Sequence, residues 1–379
     1  MNRILKIGLD VHSTNYTICV KEADYLHEHK LIAEVQVEPD YLQIVRLIGR
    51  LKEKLGNEHE YDIECGYEAG SLGYSLHHQL TGAGIRCKIL APTTMRVEKG
   101  KRIKTDRRDA RLIADCLLSG GYSAVYIPTE TDDAVKEYIR MRDDHKKMLK
   151  GIKQQIKAFC LRHDLHSPCA SNWSEAYIRW LHQAQLPECL RETLSEYLIS
   201  YGELTAKIAR YDQRIAELSQ QPEYRENVGK LVCFLGVKTI TAMALITETG
   251  DFRRFKKADQ YAAYLGLVPG EHSSAESGGR SGITKADNNH LRRLLIEASQ
   301  SACRGKIGYK SRELQKRQEG NSPEVIAYAD RANTRLRSKY YRLIRNGKKK
   351  NTAVAAAARE LACFVWGMMN HRLEPRLLS

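Results

Sequence analysis

"KTDRRDARLIAD", residues 104–115, sets Asp106 and Asp109 three positions apart among Lys104, Arg107, Arg108 and Arg111. Acids at i and i+3 share one helix face. Taken alone, this pattern has an ordinary explanation, since Asp106 can cap a helix and Asp109 can sit favourably in its first turn. Two further acids elsewhere in the chain change its weight. The apolar run "ILKIGLD" (4–10) ends in Asp10, and "YDIECGYEA" (61–69) carries Glu68 close to its end. Glu64 competes with Glu68 but lies in mid-strand.

The segments around these acids alternate. After the first run come strand patterns at 15–23 and 31–38, a helical period at 41–56, a strand at 61–69, a helix at 71–84, a strand at 85–92 and the quoted helix. The order β-β-β-α-β-α-β-α predicts a ribonuclease-H-like α/β domain, with Asp10 and Glu68 on neighbouring strands. Four carboxylates converging from two strands and one helix would repel one another, an arrangement that suits divalent cations. Hard oxygen donors point to Mg²⁺, and paired ions of that kind serve displacement at phosphodiesters. The cations beside the acids would then hold phosphates.

From residue 129 long charged helices replace the alternation. Leu194, Tyr197, Tyr201, Leu204, Ile208, Tyr211, Ile215 and Leu218 keep three–four spacing. That stripe spans about four heptads and predicts a coiled coil or antiparallel hairpin used for spacing or self-association. The predicted divisions are a domain over 1–128, a helical linker over 129–225 and a mostly helical C-terminal domain over 226–379. Within the last, "FLGVKTITAMAL" (234–245) has the glycine turn of a helix-hairpin-helix, which grips phosphate through backbone amides. The stretch "GLVPGEHSSAESGGRSGITKADNNHLRR" (266–293) reads as a mobile phosphate-binding loop, with Lys285, Arg292 and Arg293 opening the helix behind it. Its hydroxyls at Ser273, Ser274, Ser277 and Ser281 are all candidate nucleophiles on composition alone.

Lys and Arg number 61 against 46 Asp and Glu, a formal charge of +15 over 379 residues, which points to a polyanionic partner. The tract "TRLRSKYYRLIRNGKKK" (334–350), ending in Lys348, Lys349 and Lys350, holds eight basic residues and no acid. Ten scattered cysteines without a Cys-x-x-Cys pair read as reduced core residues. No apolar run reaches the roughly 18 residues of a membrane span, and the expected location is cytoplasmic. A sugar-kinase-like ATPase shares the opening strand motif but would need a second glycine-rich phosphate loop with its own aspartate, which the sequence lacks.

"IGLDVHS", "YEAGSLGY", "KTDRRDARLIA" and "LGLVPGEHSSAESGGRSGITKADNNHLRRLLIEA" together resemble the DEDD transposases of bacterial insertion sequences, relatives of the Piv invertase that include bridge-RNA-guided recombinases. The resemblance covers about 3–128 and 228–372. It implies a RuvC-like catalytic domain, a coiled-coil spacer and a transposase domain with a serine nucleophile. The metal-binding carboxylates fall on Asp10, Glu68, Asp106 and Asp109, and the serine, five residues beyond Pro269, on Ser274. Ala275 replaces the glycine that usually follows, and Ser277 within "ESGG" is the alternative. Lys104, Arg107, Arg108, Arg280, Lys285, Arg292, Arg293 and Lys348 to Lys350 are the expected nucleic-acid contacts. Donor and target DNA, a structured guide RNA and a dimeric or tetrameric assembly are the implied partners. Two other activities fit the same residues: a RuvC-like nuclease that uses water, and a non-catalytic scaffold.

Overall fold

The computed structural model describes residues 3–23, 29–55, 61–95, 105–274, 277–285 and 288–373, with backbone alone for 3, 93, 271–274 and 277–281. The chain divides into two compact units, 1–127 and 128–379.

The first unit carries the predicted element order. Strands β1 (Arg3–Val11), β2 (Tyr16–Ala23), β3 (His29–Val37), β4 (Tyr61–Glu68) and β5 (Arg86–Leu90) form one sheet in the order β3-β2-β1-β4-β5. β1 runs parallel to β4, and β4 to β5, while β2 is antiparallel to both β1 and β3. Alternation sorts the side chains between two faces. Leu5, Ile7 and Leu9 of β1, Ile18 and Val20 of β2, and Cys65 and Tyr67 of β4 share one core with α1 (Tyr41–Leu55) and α2 (Ser75–Gly82). Helix α1 contributes Ile44, Ile48 and Leu51, the spacing of a single helix face.

The other face is covered by α3 (Asp106–Ser119). Here the sheet offers little volume. Gly8 pairs with Cys19 on β2 and with Gly66 on β4, and Cys19 clusters with Ala110 and Ala114 of α3. A Cβ at Gly8 would stand 2.1 Å from the Ala110 carbonyl oxygen and 2.5 Å from the Ala114 nitrogen, so the helix backbone lies directly on the strand. At Gly66 a Cβ would meet Leu90 and Leu117 at 2.9–3.0 Å. Gly120 ends the helix in the left-handed region at φ 66°, where glycine carries no Cβ penalty.

In the second unit α4 (Glu130–Arg162) and α6 (Glu188–Leu218) pack side by side within one chain. Arg142 bonds Asp212 near one end, while Ile156 and Phe159 meet Leu194 and Leu198 towards the other, so the pair is antiparallel. Short α5 (Glu175–His182) closes their far end. Only Leu194, Ile208 and Ile215 of the tyrosine–leucine stripe are buried.

The near ends of α4 and α6 enter a large helical core. It is built with α7 (Pro222–Leu231), α8 (Thr239–Thr249), α9 (Ala258–Tyr264), α10 (Asn289–Ala302), α11 (Arg312–Gln318), α12 (Pro323–Arg345) and α13 (Lys350–Met369). Helix α13 is long and apolar enough to span a membrane by length and composition, unlike the expectation from the sequence. Its buried face, including Ala357, Leu361 and Val365, belongs to this core. All ten cysteines are free, and seven are buried.

Two local expectations are corrected. The segment 266–293 is not an irregular loop, because β6 (Pro269–Ser274) and β7 (Ser277–Ile283) pair antiparallel with Ser274 opposite Ser277. Backbone bonds from Thr284 to Val268 and from Lys285 to Gly266 extend the ladder beyond the strands. The ladder is made by the main chain, which a serine–glycine composition does not announce. The turn at 235–238 also departs from a phosphate-gripping hairpin. Gly236, at φ 89°, faces the Ala298 carbonyl at 2.1 Å from where its Cβ would be, Leu235 donates to Asn333, and the Val237 carbonyl accepts from Arg317. The turn is spent on interior packing.

Substituting Gly8 tests the close approach. Gly8→Val is expected to destabilise the first unit by about 3 kcal/mol or more, because neither the strand nor the helix backbone can yield cheaply. Gly49→Ala, at an open helical position, should stabilise slightly or have no effect. Urea unfolding of the two variants checks the contrast.

Candidate metal centre and the serine hairpin

Asp10 shares its strand face with Lys6 and Gly8, the face that α3 covers. Glu68 shares the face of Gly66 on the adjacent strand, one residue past the paired Leu9 and Tyr67. Because α3 rests on the sheet at Gly8, its first turn reaches the end of β1. Thr105 is the N-cap, with no side-chain cap bond, so Asp106 begins the helix rather than capping it. The rival Glu64 is tied to Lys6 at 2.8 Å on the same face.

One oxygen each of Asp10 and Asp106 and one ring nitrogen of His12 lie within 4.8 Å of one another. His12 Nε2 is 3.3 Å from Asp10 Oδ2 and 4.0 Å from Asp106 Oδ1. The Asp10 side chain is only 17% exposed, and its buried Oδ2 faces the His12 ring nitrogen. Burial raises the Asp10 pKa above its ordinary value; His12 counteracts this, and Asp109 and Asp106 push the same way as burial. Asp109 is therefore in electrostatic reach, whereas neither it nor Glu68 belongs to the three-residue cluster. His12 had no role in the sequence reading. The available signal was its i+2 spacing from Asp10 at a strand end, which continues the same side of the chain.

A buried carboxylate oxygen facing a histidine ring nitrogen, next to a second carboxylate, is a site a divalent cation fits. Around it, Arg107 and Arg108 are exposed on α3, and Arg111 makes a two-bond pair with Glu34 of β3 at 2.7 and 2.8 Å. Lys104 lies outside the described residues.

In the second unit Ser274 and Ser277 face each other across the β6–β7 pair, and their side chains, like that of Arg280, lie outside the description. Lys285 is exposed at φ 56°, ahead of α10 rather than within it. Arg292 is buried and donates to the Leu265 carbonyl and to Asn289. Arg293 bonds Asp143 and Glu297, so both arginines brace α10. Lys348, Lys349 and Lys350 are exposed, whereas Arg337 of the same basic tract is buried on the carbonyls of Ala302, Lys306 and Tyr309.

A buried ionic network anchors the helix that follows the hairpin. Asn288 caps α10 and donates to Glu248 at 2.7 Å. His290, two residues on, bridges Glu248 of α8 and Asp143 of α4, and Arg140 gives Glu248 two further bonds at 3.0–3.1 Å. Burial alone would raise the Glu248 pKa, but the bonds from His290 and Arg140 hold it down at about 2. Burial likewise opposes charge on His290, and its two carboxylate partners outweigh that and raise its pKa.

The first unit is thus a mixed α/β domain with an acidic site suited to a divalent ion, and the second is a helical body bearing a serine hairpin. Residues 7–163 match a family model of the DEDD type described as a transposase, and residues 230–315 match the transposase family IS116/IS110/IS902. A putative transposase, y4qE, of Sinorhizobium fredii is 33% identical over 96% of this chain and 87% of its own length. The transposase for insertion sequence element IS1533 of Leptospira borgpetersenii is 30% identical, covering 92% of this chain and 99% of its own. A probable family 20 transposase of Pseudomonas aeruginosa is 26% identical over 69% of this chain and 78% of its own. The chain belongs to the IS110/IS116/IS902 family of transposases, enzymes that cut DNA, and its DEDD-type domain implies use of divalent metal ions.

The network predicts a pH window for the second unit. Glu248 falls from an ordinary 4.5 to about 2, so its contribution is present above 4.5 and lost as pH drops towards 2. The pKa of His290 is raised from 6.5, so its contribution is complete below 6.5 and lost as pH rises through the raised value. Thermal melting against pH should show both limbs. His290→Ala should abolish the alkaline limb and cost about 1.5–3 kcal/mol at neutral pH, since Arg140 and Asn288 still hold Glu248 and Arg142 and Arg293 still hold Asp143.

Proposed function

We propose that this protein cuts and rejoins DNA strands during excision and insertion of a mobile element, with Asp10, Glu68, Asp106 and Asp109 holding Mg²⁺ and Ser274 as nucleophile. The observation that carries the metal reading is the convergence of the buried Asp10 carboxylate, Asp106 and His12. His12 joins the reading as a further donor. The β3-β2-β1-β4-β5 order, with Asp10 and Glu68 on adjacent parallel strands, supports reading residues 1–128 as a ribonuclease-H-like, RuvC-like domain. Residues 129–225 serve as spacer, and residues 226–379 as the domain that presents the serine.

Bound divalent ions supply Lewis-acid charge at the scissile phosphate. The carboxylates orient those ions, and buried Asp10 is fixed by the strand rather than by solvent. Ser274 Oγ forms a bond to phosphorus as the P–O bond to one deoxyribose oxygen breaks. The serine proton ends on that leaving hydroxyl. Attack by a deoxyribose hydroxyl on the phosphoserine reverses the step and restores Ser274 without ATP. Ser277, directly across the hairpin, is the alternative nucleophile. Basic residues hold backbones while a structured RNA of the element selects donor and target, a division of labour seen where pairing reads sequence and protein reads shape. The active assembly is a dimer or tetramer.

Denaturing gels with end-labelled element DNA should reveal a covalent protein–DNA adduct that vanishes in Ser274→Ala. An adduct surviving there but lost in Ser277→Ala moves the nucleophile, and cut DNA with no adduct in any variant points instead to a water-using nuclease. Asp10→Asn and Asp106→Asn are expected to reduce strand cleavage by at least about a hundredfold, as does EDTA, with Mg²⁺ restoring only the unsubstituted protein. Full activity in either variant would favour a scaffold role for this site.

A further inference from the structure

The second unit contains a cleft of about 1030 Å³ between the start of α9, the middle of α12 and the end of α13, away from the serine hairpin in sequence. Its walls are aromatic and largely apolar, formed by Tyr328, Phe364 and Trp366. They are fixed in place. Trp366 Nε1 donates to the Phe255 carbonyl at 3.0 Å, and the Tyr328 hydroxyl donates to the Phe364 carbonyl at 3.3 Å. Gly367 makes room for that hydroxyl, which would lie 2.1 Å from any Cβ there.

The rim is cationic. Lys256, Lys257, Arg331, Arg335 and Arg372 line the cleft against two acids, Asp259 and Glu360. Both acids already have cations of their own: Asp259 pairs with Arg359 at 2.9 Å, and Glu360 with Arg335 and with Lys339 at 3.0 Å. Arg331 and Arg372 stand over the Tyr328 and Trp366 rings at 5.5 and 4.7 Å, and Lys256 and Lys257 are exposed. The cleft therefore combines an apolar aromatic interior with a surplus of positive charge at its edge.

We propose that this cleft takes a single-stranded segment of nucleic acid, its phosphates on Lys256, Lys257, Arg331 and Arg372 and an unpaired base against the ring of Phe364. The proposal deepens the nucleic-acid reading above and rests on it. A duplex keeps its bases stacked inside and cannot offer one to an apolar wall, whereas unpaired bases stack on aromatic rings while cations follow the backbone. Preformed walls lower the ordering cost of such binding.

The test is fluorescence anisotropy on the full chain, with short oligothymidylate and oligouridylate probes and a duplex of equal length. Lys256→Ala/Lys257→Ala/Arg331→Ala should weaken both single strands about tenfold or more and flatten the log–log salt slope by about 2, near 0.7 per lost phosphate contact. Duplex affinity should stay within about twofold. Preference for one probe assigns the strand to DNA or RNA, and a bromouracil-containing probe should crosslink to the peptide bearing Phe364. Unchanged single-strand affinity, equal loss on duplex, or crosslinking confined to other peptides overturns the proposal. So does binding that requires deletion of residues 374–379, which would make the chain's own C-terminal segment the occupant. Asp106→Asn and Ser274→Ala should keep wild-type single-strand affinity, so loss of strand cleavage and loss of this cleft are read separately.

Discussion

Contact between the backbones of β1 and α3 at Gly8 governs the geometry of the first unit. Two packed elements are ordinarily held about 10 Å apart by side chains. Here glycine on the strand and Ala110 and Ala114 on the helix remove that spacer. The stripe that seats the helix runs on through Ile113 and Leu117, and its upstream continuation, four residues before Ala110, is Asp106. The same register that buries alanine against glycine therefore projects the first-turn acids past the end of the strand. Asp10 follows Gly8 by two residues and so shares its face. The position of the acidic site is a consequence of small residues in the core beneath it.

That dependence explains what could be read beforehand. The strand–helix order and the facing of Asp10 and Glu68 follow from period-two and period-3.6 patterns, which are local in sequence. The helical hairpin followed from the stripe at 194–218, although much of that stripe is half-buried rather than sealed. His12 was not legible as a participant, because its closeness to Asp106 arises only when α3 docks on β1. The network of Asp143, Glu248 and His290 was likewise hidden: its members are 42 to 147 residues apart and sit in segments whose composition reads as ordinary charged helix. The β6–β7 pair was missed for a different reason. Its ladder is main-chain hydrogen bonding in a serine–glycine sequence, where side-chain alternation carries no signal.

Anchoring of the hairpin also has a physical logic. A strand pair with few apolar side chains is marginal by itself. The chain leaves β7 and enters α10 within a few residues, and α10 is pinned at its first turn by a cap, an imidazole bridge and two arginines. The ionic cost of burying Glu248, 1% exposed, is offset by four donors, so the helix start has one low-energy placement. The hairpin gains its positional definition from this base.

Part of the positive charge of the chain is buried, and this limits what net charge alone can say. Arg142, Arg292 and Arg337 are buried, and each satisfies two or more fixed acceptors, a use to which the planar, multi-donor guanidinium is suited. Lys256, Lys257, Lys285 and Lys348 to Lys350 stay exposed, where a compact hydrated ammonium costs nothing to keep in water. A formal +15 therefore counts cations that never meet solvent together with those that can meet a phosphate. Discounting the buried arginines leaves exposed arginines and lysines together, among them Lys256, Lys257, Arg331 and Arg372 at the rim of the aromatic cleft and Lys348 to Lys350 at the start of α13.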